Sequence, residues 1–237
     1  MDQLNLYRYG YTNIGKVILR APTLDEICNY GESDFWVLAD YICAIPTDYM
    51  LELDKQGIRY EDVPEYDFFI DSILPNLDSD TCNILLPNVH PEQMQYQIFE
   101  DCSDKIVVDI KEQVVIDKNT YVQLTRTIRK LFGLQYKPMF AQNDFTRKKL
   151  FELSKKRRKK AKSKPNESVL LPLVSSMVNC SDFKYNYEEV WNMNFYAFMD
   201  SVKRVNAVRS ANQMYTGGYF GLSLKDVKEY LDWMRPL

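Results

Sequence analysis

The stretch Trp191-Asn192-Met193-Asn194-Phe195-Tyr196-Ala197-Phe198-Met199-Asp200-Ser201-Val202-Lys203-Arg204-Val205 decides the fold class. Trp191, Phe195, Phe198, Val202 and Val205 recur in steps of four and three, which sets them on one face of a helix. Asp200, Lys203, Arg204 and Asn206 fall largely off that stripe, as expected for a helix with one wet side. Thr216-Gly217-Gly218 is expected to stop it, because glycine reaches the left-handed conformation at little steric cost. The helix is therefore expected from about 187 to 215. Ser223-Leu224-Lys225-Asp226 then reads as a capping signal for a shorter helix carrying Val227, Tyr230, Leu231 and Trp233. This arrangement has the look of a scaffold.

Working back from there, the same helical texture fills most of the chain. Leu6–Tyr11 and Val17-Ile18-Leu19 read as short extended pieces around Gly10 and Gly15. Thr23 and Glu26 form a capping box for a helix that Gly31 ends, and Ser33 opens another with Phe35, Trp36, Leu38, Ala39 and Ile42. Further short helices are expected from Thr47 to Gly57, after Asp62-Val63-Pro64, and around Asp80–Leu86. Ile106–Ile110 and Val114–Ile116 are β-branched runs around Lys111-Glu112-Gln113, a hairpin pattern. Asn119 or Thr120 then caps a helix that closes at Gly133. The fold expected is mainly α: a bundle of short helices, a small β-hairpin satellite near 106–116, and a long C-terminal helix. Trp36, Phe69, Trp191, Phe195, Phe198, Val202 and Trp233 are the expected core.

At 237 residues with 46% hydrophobic content, the chain is large enough for one sizeable domain or two small ones. Its 17 tyrosines suit grooves and interfaces, since the ring can be buried while the hydroxyl stays wet, and equally suit a half-buried core margin. Five cysteines without a C-x-x-C pair fit reduced thiols better than a disulfide framework or a zinc site. No signal peptide or membrane span is visible, so the expectation is a soluble intracellular protein.

The net charge of −3 hides an asymmetry. Residues 147–164 hold 11 of the 30 Lys/Arg and one acid, Glu152, which leaves 19 bases against 32 acids elsewhere. The segment's peak is Lys155-Lys156-Arg157-Arg158-Lys159-Lys160, and Lys164-Pro165-Asn166 breaks it. Three readings stand: a solvated helix end, a site steering an acidic protein partner, and a phosphate-neutralising patch. Aromatic residues are absent from 152–164, so base stacking has no support there. The domain expectation is a helical body over 1–146, a mobile basic linker over 147–168, and a C-terminal helical segment over 169–237 packing on the body.

Chemistry-bearing motifs are sparse. His90 is the single histidine, so no His/Cys metal set forms around it, and a pairing with Cys82 or Cys102 has no sequence support. Gly217-Gly218-Tyr219-Phe220-Gly221 lacks the lysine of a phosphate loop and follows a helix where a dinucleotide fingerprint needs a strand. Asp62, Glu65, Asp67, Asp71, Asp78 and Asp80 match no calcium loop and read as caps and solvated faces. No catalytic residue, metal or cofactor is expected.

Two segments carry a resemblance: Ile14–Ile27 (IGKVILRAPTLDEI), followed by Gly31 and an aromatic-rich helix, and Val190–Asp200 (VWNMNFYAFMD) with Arg204. Together they resemble proteins from the tail-morphogenesis regions of bacteriophages of Gram-positive bacteria, often regarded as tail assembly chaperones. The resemblance implies a mostly helical, non-enzymatic protein that binds tape-measure or tail-tube components in the host cytoplasm. A structural virion component (tail or connector protein) and a nucleic-acid-binding regulator using 155–164 are the alternatives.

Overall fold

The computed structural model describes residues 2–98, 105–109, 113–162 and 167–219, and it is mainly helical. In chain order the elements are α1 (Gln3–Tyr9), β1 (Tyr11–Ile14), β2 (Val17–Arg20), α2 (Leu24–Tyr30), α3 (Glu32–Ile42) and α4 (Met50–Lys55). They continue with α5 (Glu65–Phe68), α6 (Ser79–Cys82), β3 (Met94–Ile98), β4 (Lys105–Asp109), β5 (Val114–Ile116) and α7 (Lys118–Phe132). The last are α8 (Asp144–Lys162), α9 (Leu170–Val178) and α10 (Phe195–Tyr219). Two compact units result. The first contains Tyr11–Arg20 and Tyr30–Glu167; the second contains Gln3–Gly10, Ala21–Asn29 and the chain from Ser168 on. The expected body over 1–146 thus gives up α1 and most of α2 to the C-terminal segment.

In the first unit, β1 and β2 pair antiparallel, and β3, β4 and β5 form an antiparallel meander. The hairpin expected at 106–116 is there, with Val107 opposite Ile116. β3 was not foreseen: Met-Gln-Tyr-Gln-Ile has little β-branched content, and its strand form comes from pairing with β4. Asp117, in place of Asn119 or Thr120, caps α7 by accepting from the Thr120 N–H at 2.7 Å. Gly133 closes α7 in the left-handed conformation, as expected. The helix after Pro64 starts with one α turn and runs through a π turn over Phe69–Ile73. Phe35, Phe69 and Tyr121 are fully buried at the centre, with Phe35 edge-on to Phe132 at 5.3 Å. Trp36, expected in the core, is half-buried instead. Its indole N–H donates to Glu32 Oε1, and the neighbouring Phe35 takes the inward position.

Tyr121 combines deep burial with an unsatisfied group. Its ring packs on Phe69 at 4.9 Å and Tyr66 at 5.7 Å, yet its hydroxyl finds no hydrogen-bond partner among the described residues. Burial pushes its pKa well above the ordinary phenol value. An unpaired buried hydroxyl costs about 1–3 kcal/mol of desolvation. Tyr121→Phe is therefore expected to leave stability unchanged or to raise it by about 1 kcal/mol, read as a shift in the urea midpoint at constant slope.

The second unit is closed by backbone. The capping box of α2 forms as expected, with Thr23 N–H donating to Glu26 Oε2 and Glu26 N–H to Thr23 Oγ1. Thr23 forms an antiparallel bridge with Asn194, flanked by Leu24 N–H to the Met193 carbonyl (3.0 Å) and Phe195 N–H to the Pro22 carbonyl (2.7 Å). Asn194 also caps α10 through the Ala197 N–H and donates to the Tyr7 carbonyl. This clasp explains why the long helix begins at Phe195 and not near 187. An extended residue cannot belong to the helix, so Trp191 lies in a preceding 3₁₀ turn, half-buried, edge-on to Tyr187. Phe195 and Phe198 are buried as expected, while Val202 is half-buried. Gly217 does not stop the helix, which continues to Tyr219. Glycine weakens a helix interior but ends it only where the chain takes a positive φ. Leu6–Tyr9, expected to be extended, is helical and packs against α10. Trp233, the shorter last helix and the Lys164-Pro165-Asn166 break lie outside the described residues.

Candidate partner-binding surface

The segment expected as a mobile linker forms most of α8, the nineteen-residue helix Asp144–Lys162. Asn143 starts it, its side chain accepting from the Thr146 N–H at 2.8 Å. Lysine, arginine and leucine are good helix formers, and each like-charge pair one turn apart costs only about 0.2–0.5 kcal/mol. Docking within the first unit offsets that repulsion. Arg158 makes a two-pronged ion pair with Glu52 of α4 and donates to the Asp48 carbonyl at 2.8 Å. Arg147 pairs with Glu61 at 3.3 Å and with Asp144 at 3.1 Å, and Phe151 packs against Tyr60 at 6.4 Å. The inward face of the helix therefore carries Arg147, Phe151 and Arg158.

The six bases of the expected partner site are thus divided. Arg158 is committed to an internal pair, whereas Lys155, Lys156, Arg157, Lys159 and Lys160 stand exposed. Lys148 and Lys149, about two turns nearer the start, are exposed as well. Arg158 lies on the inward side, where its planar guanidinium makes a bidentate pair with Glu52, whereas Arg157 and the lysines lie outward. The result is a cationic face carried on a docked helix. The division was not legible in the sequence, where all six residues look alike.

This division separates two substitution sets. Arg158→Gln is expected to cost about 1 kcal/mol or less, because both side chains of the pair stay substantially exposed. Replacing Lys155, Lys156, Arg157, Lys159 and Lys160 together by Gln should shift stability by no more than about 0.5 kcal/mol. Arg158 hydrogen bonds hold the Glu52 carboxyl below its ordinary pKa. A group depressed in this way stabilises above its unfolded pKa and ceases to do so as pH falls through the folded value. The Arg158→Gln deficit should therefore be present at neutral pH and vanish below the ordinary carboxylate range, as read by urea midpoints against pH.

A second concave surface lies on the other unit, a cavity of about 650 Å³ lined by Leu4, Tyr7, Tyr185, Met193 and Ala197. Leu4 is 75% exposed, and Tyr7 and Tyr185 are each nearly half exposed, the amphipathic lining expected of a protein-binding groove.

The residues weighed for catalysis fare differently. His90 Nδ1 lies 3.4 Å from Asp109 Oδ2, a fully buried carboxylate on β4 that sequence spacing gave no reason to pair with it. Burial pushes the Cys82 thiol up to about 12, the reverse of what a nucleophile needs. Cys102 lies outside the described residues. Asp78 caps α6 through the Thr81 N–H at 2.6 Å, in line with the capping role read for the acids of that region. Among the described residues, no helix is long and apolar enough to cross a membrane. No protein family, curated protein or solved structure matches this chain.

Proposed function

We propose that this chain is a non-catalytic bacteriophage tail-morphogenesis protein that binds a tape-measure or tail-tube component during assembly. The observation that carries the reading is the construction of α8, whose Arg147 and Arg158 are spent on docking and whose lysines, with Arg157, form an outward face. Charges held on a rigid helix steer association and lose less conformational entropy on binding than charges on a loose arm. The phage assignment comes from the two resembling segments, and within the second unit the part of the first from Ala21 on meets the second in a direct backbone clasp at Thr23 and Asn194. The open groove at Tyr7 and Tyr185 adds an apolar surface of the kind an assembly chaperone offers.

Affinity capture with the full chain from phage-infected cells, with mass spectrometry of mature particles alongside, tests this. The expected result is a co-purifying tail component together with absence of this chain from the particles. Its presence in particles would favour the virion-component reading. Capture of DNA alone, lost when the five exposed bases become Gln, would replace both with the regulator.

A further inference from the structure

We propose that the outward face of α8 docks an acidic amphipathic helix of the partner protein. This rests on the reading of α8 as the binding surface and names the chemistry of what binds there. At 3.6 residues per turn, Lys148, Lys155 and Lys159 fall in one row along the helix, and Lys149, Lys156 and Lys160 in a parallel row. Within each row the spacings of seven and four residues correspond to about 10 and 6 Å along the axis. Carboxylates recurring at every turn or second turn of a facing helix match those spacings.

The residues beside the rows choose between a protein and a nucleic acid. Phe145 is 66% exposed and Leu153 49% exposed, both on this outward side, and the Lys149 ammonium lies 4.4 Å from the Phe145 ring centre. Glu152, also exposed, falls between the two lysine rows. A phosphate backbone offers nothing apolar to cover Phe145 and Leu153, and it would meet Glu152 with like charge. An amphipathic helix satisfies all three: its acids face the lysines, its apolar stripe covers Phe145 and Leu153, and a lysine or arginine on its flank meets Glu152. The opposite side of α8 already works this way within the chain, where Arg158 engages Glu52 on another helix.

The test is fluorescence anisotropy of the full chain with three labelled probes. These are an amphipathic Glu/Leu peptide of about five helical turns, a shuffled peptide of the same composition, and a random-sequence DNA duplex. The amphipathic peptide is expected to bind at least about tenfold more tightly than the shuffled one. Phe145→Ser with Leu153→Ser should remove that advantage, and Lys148, Lys155 and Lys159→Gln should weaken binding and flatten its salt dependence. All five positions are exposed, so circular dichroism of each variant should match the parent. DNA binding as tight as peptide binding and indifferent to Phe145→Ser and Leu153→Ser would overturn the proposal in favour of phosphate. Salt-sensitive self-association in sedimentation velocity, lost with the same substitutions, would overturn it in favour of a second copy. Failure of every probe would overturn the partner chemistry alone, because capture of a tail component by the full chain is scored separately.

Discussion

Phe198→Ala is expected to lower the free energy of unfolding by about 3–5 kcal/mol, the range for removing a fully buried aromatic ring. Phe198 is 0% exposed on the inward side of α10 and packs edge-on against Phe183 at 6.5 Å. The cost has two parts, the lost transfer of the ring from water and the cavity left between packed helices. Urea denaturation would read it as a fall in midpoint at unchanged slope. Trp191→Ala is the comparison that gives the number meaning. Trp191 is the larger side chain but is half-exposed in a 3₁₀ turn, so its loss should be clearly smaller. An equal or greater loss for Trp191 would mean that the stripe read from the sequence outranks the clasp that displaces Trp191 from the helix.

Gly10→Val is the second large effect. Gly10 has φ +73°, its carbonyl accepts from the Ala21 N–H at 2.7 Å, and its N–H donates to the Leu6 carbonyl. A β-carbon there would sit 3.0 Å from the Ala21 carbonyl oxygen and 3.3 Å from Asn194 Cβ. Holding a non-glycine residue in this conformation costs about 1–3 kcal/mol before any overlap is counted. The overlap falls on the backbone that carries the clasp, which cannot give way as a side-chain tip would. Gly57→Val isolates that contribution, because Gly57 has nearly the same φ, +74°, with nothing within 4 Å of the added carbon. Gly10→Val should be the more destabilised of the two, with faster hydrogen exchange at the Leu24 and Phe195 amides. Equal losses would show that conformation alone sets the cost.

What the sequence disclosed and what it withheld follow the distance over which each element is decided. The capping box at Thr23 and Glu26, the strand pair at 106–116 and the glycine stop at Gly133 are settled by neighbours in the chain, and they appear as read. The start of α10 is settled by Thr23, far away in the chain, so periodicity alone set it too early. β3 is a strand because β4 lies beside it. Trp36 and Phe35 are adjacent aromatics that both meet Phe132 of another helix, and sequence adjacency alone does not say which of them is fully buried. For the binding surface, the sequence located the charge but not its sides. Arg158 is set apart from its neighbours by Glu52 and the Asp48 carbonyl, which meet it from elsewhere in the chain.

The clasp also bears on the order in which the protein is made. Pro22, Thr23 and Leu24 leave the ribosome early, but the carbonyls and amides that complete them, on Met193, Asn194 and Phe195, are synthesised only after the whole of Tyr30–Glu167. Translation proceeds at about 5–20 residues per second, and domains generally fold as units during synthesis. The first unit can therefore collapse while α1 and Ala21–Asn29 still wait for their partners. Leu6, Leu24 and Ile27, each no more than 1% exposed at the end, are the apolar side chains left open during that interval. A nascent chain halted before Asn194 would be cut by protease within Gln3–Gly10 or Ala21–Asn29 while the first unit resists.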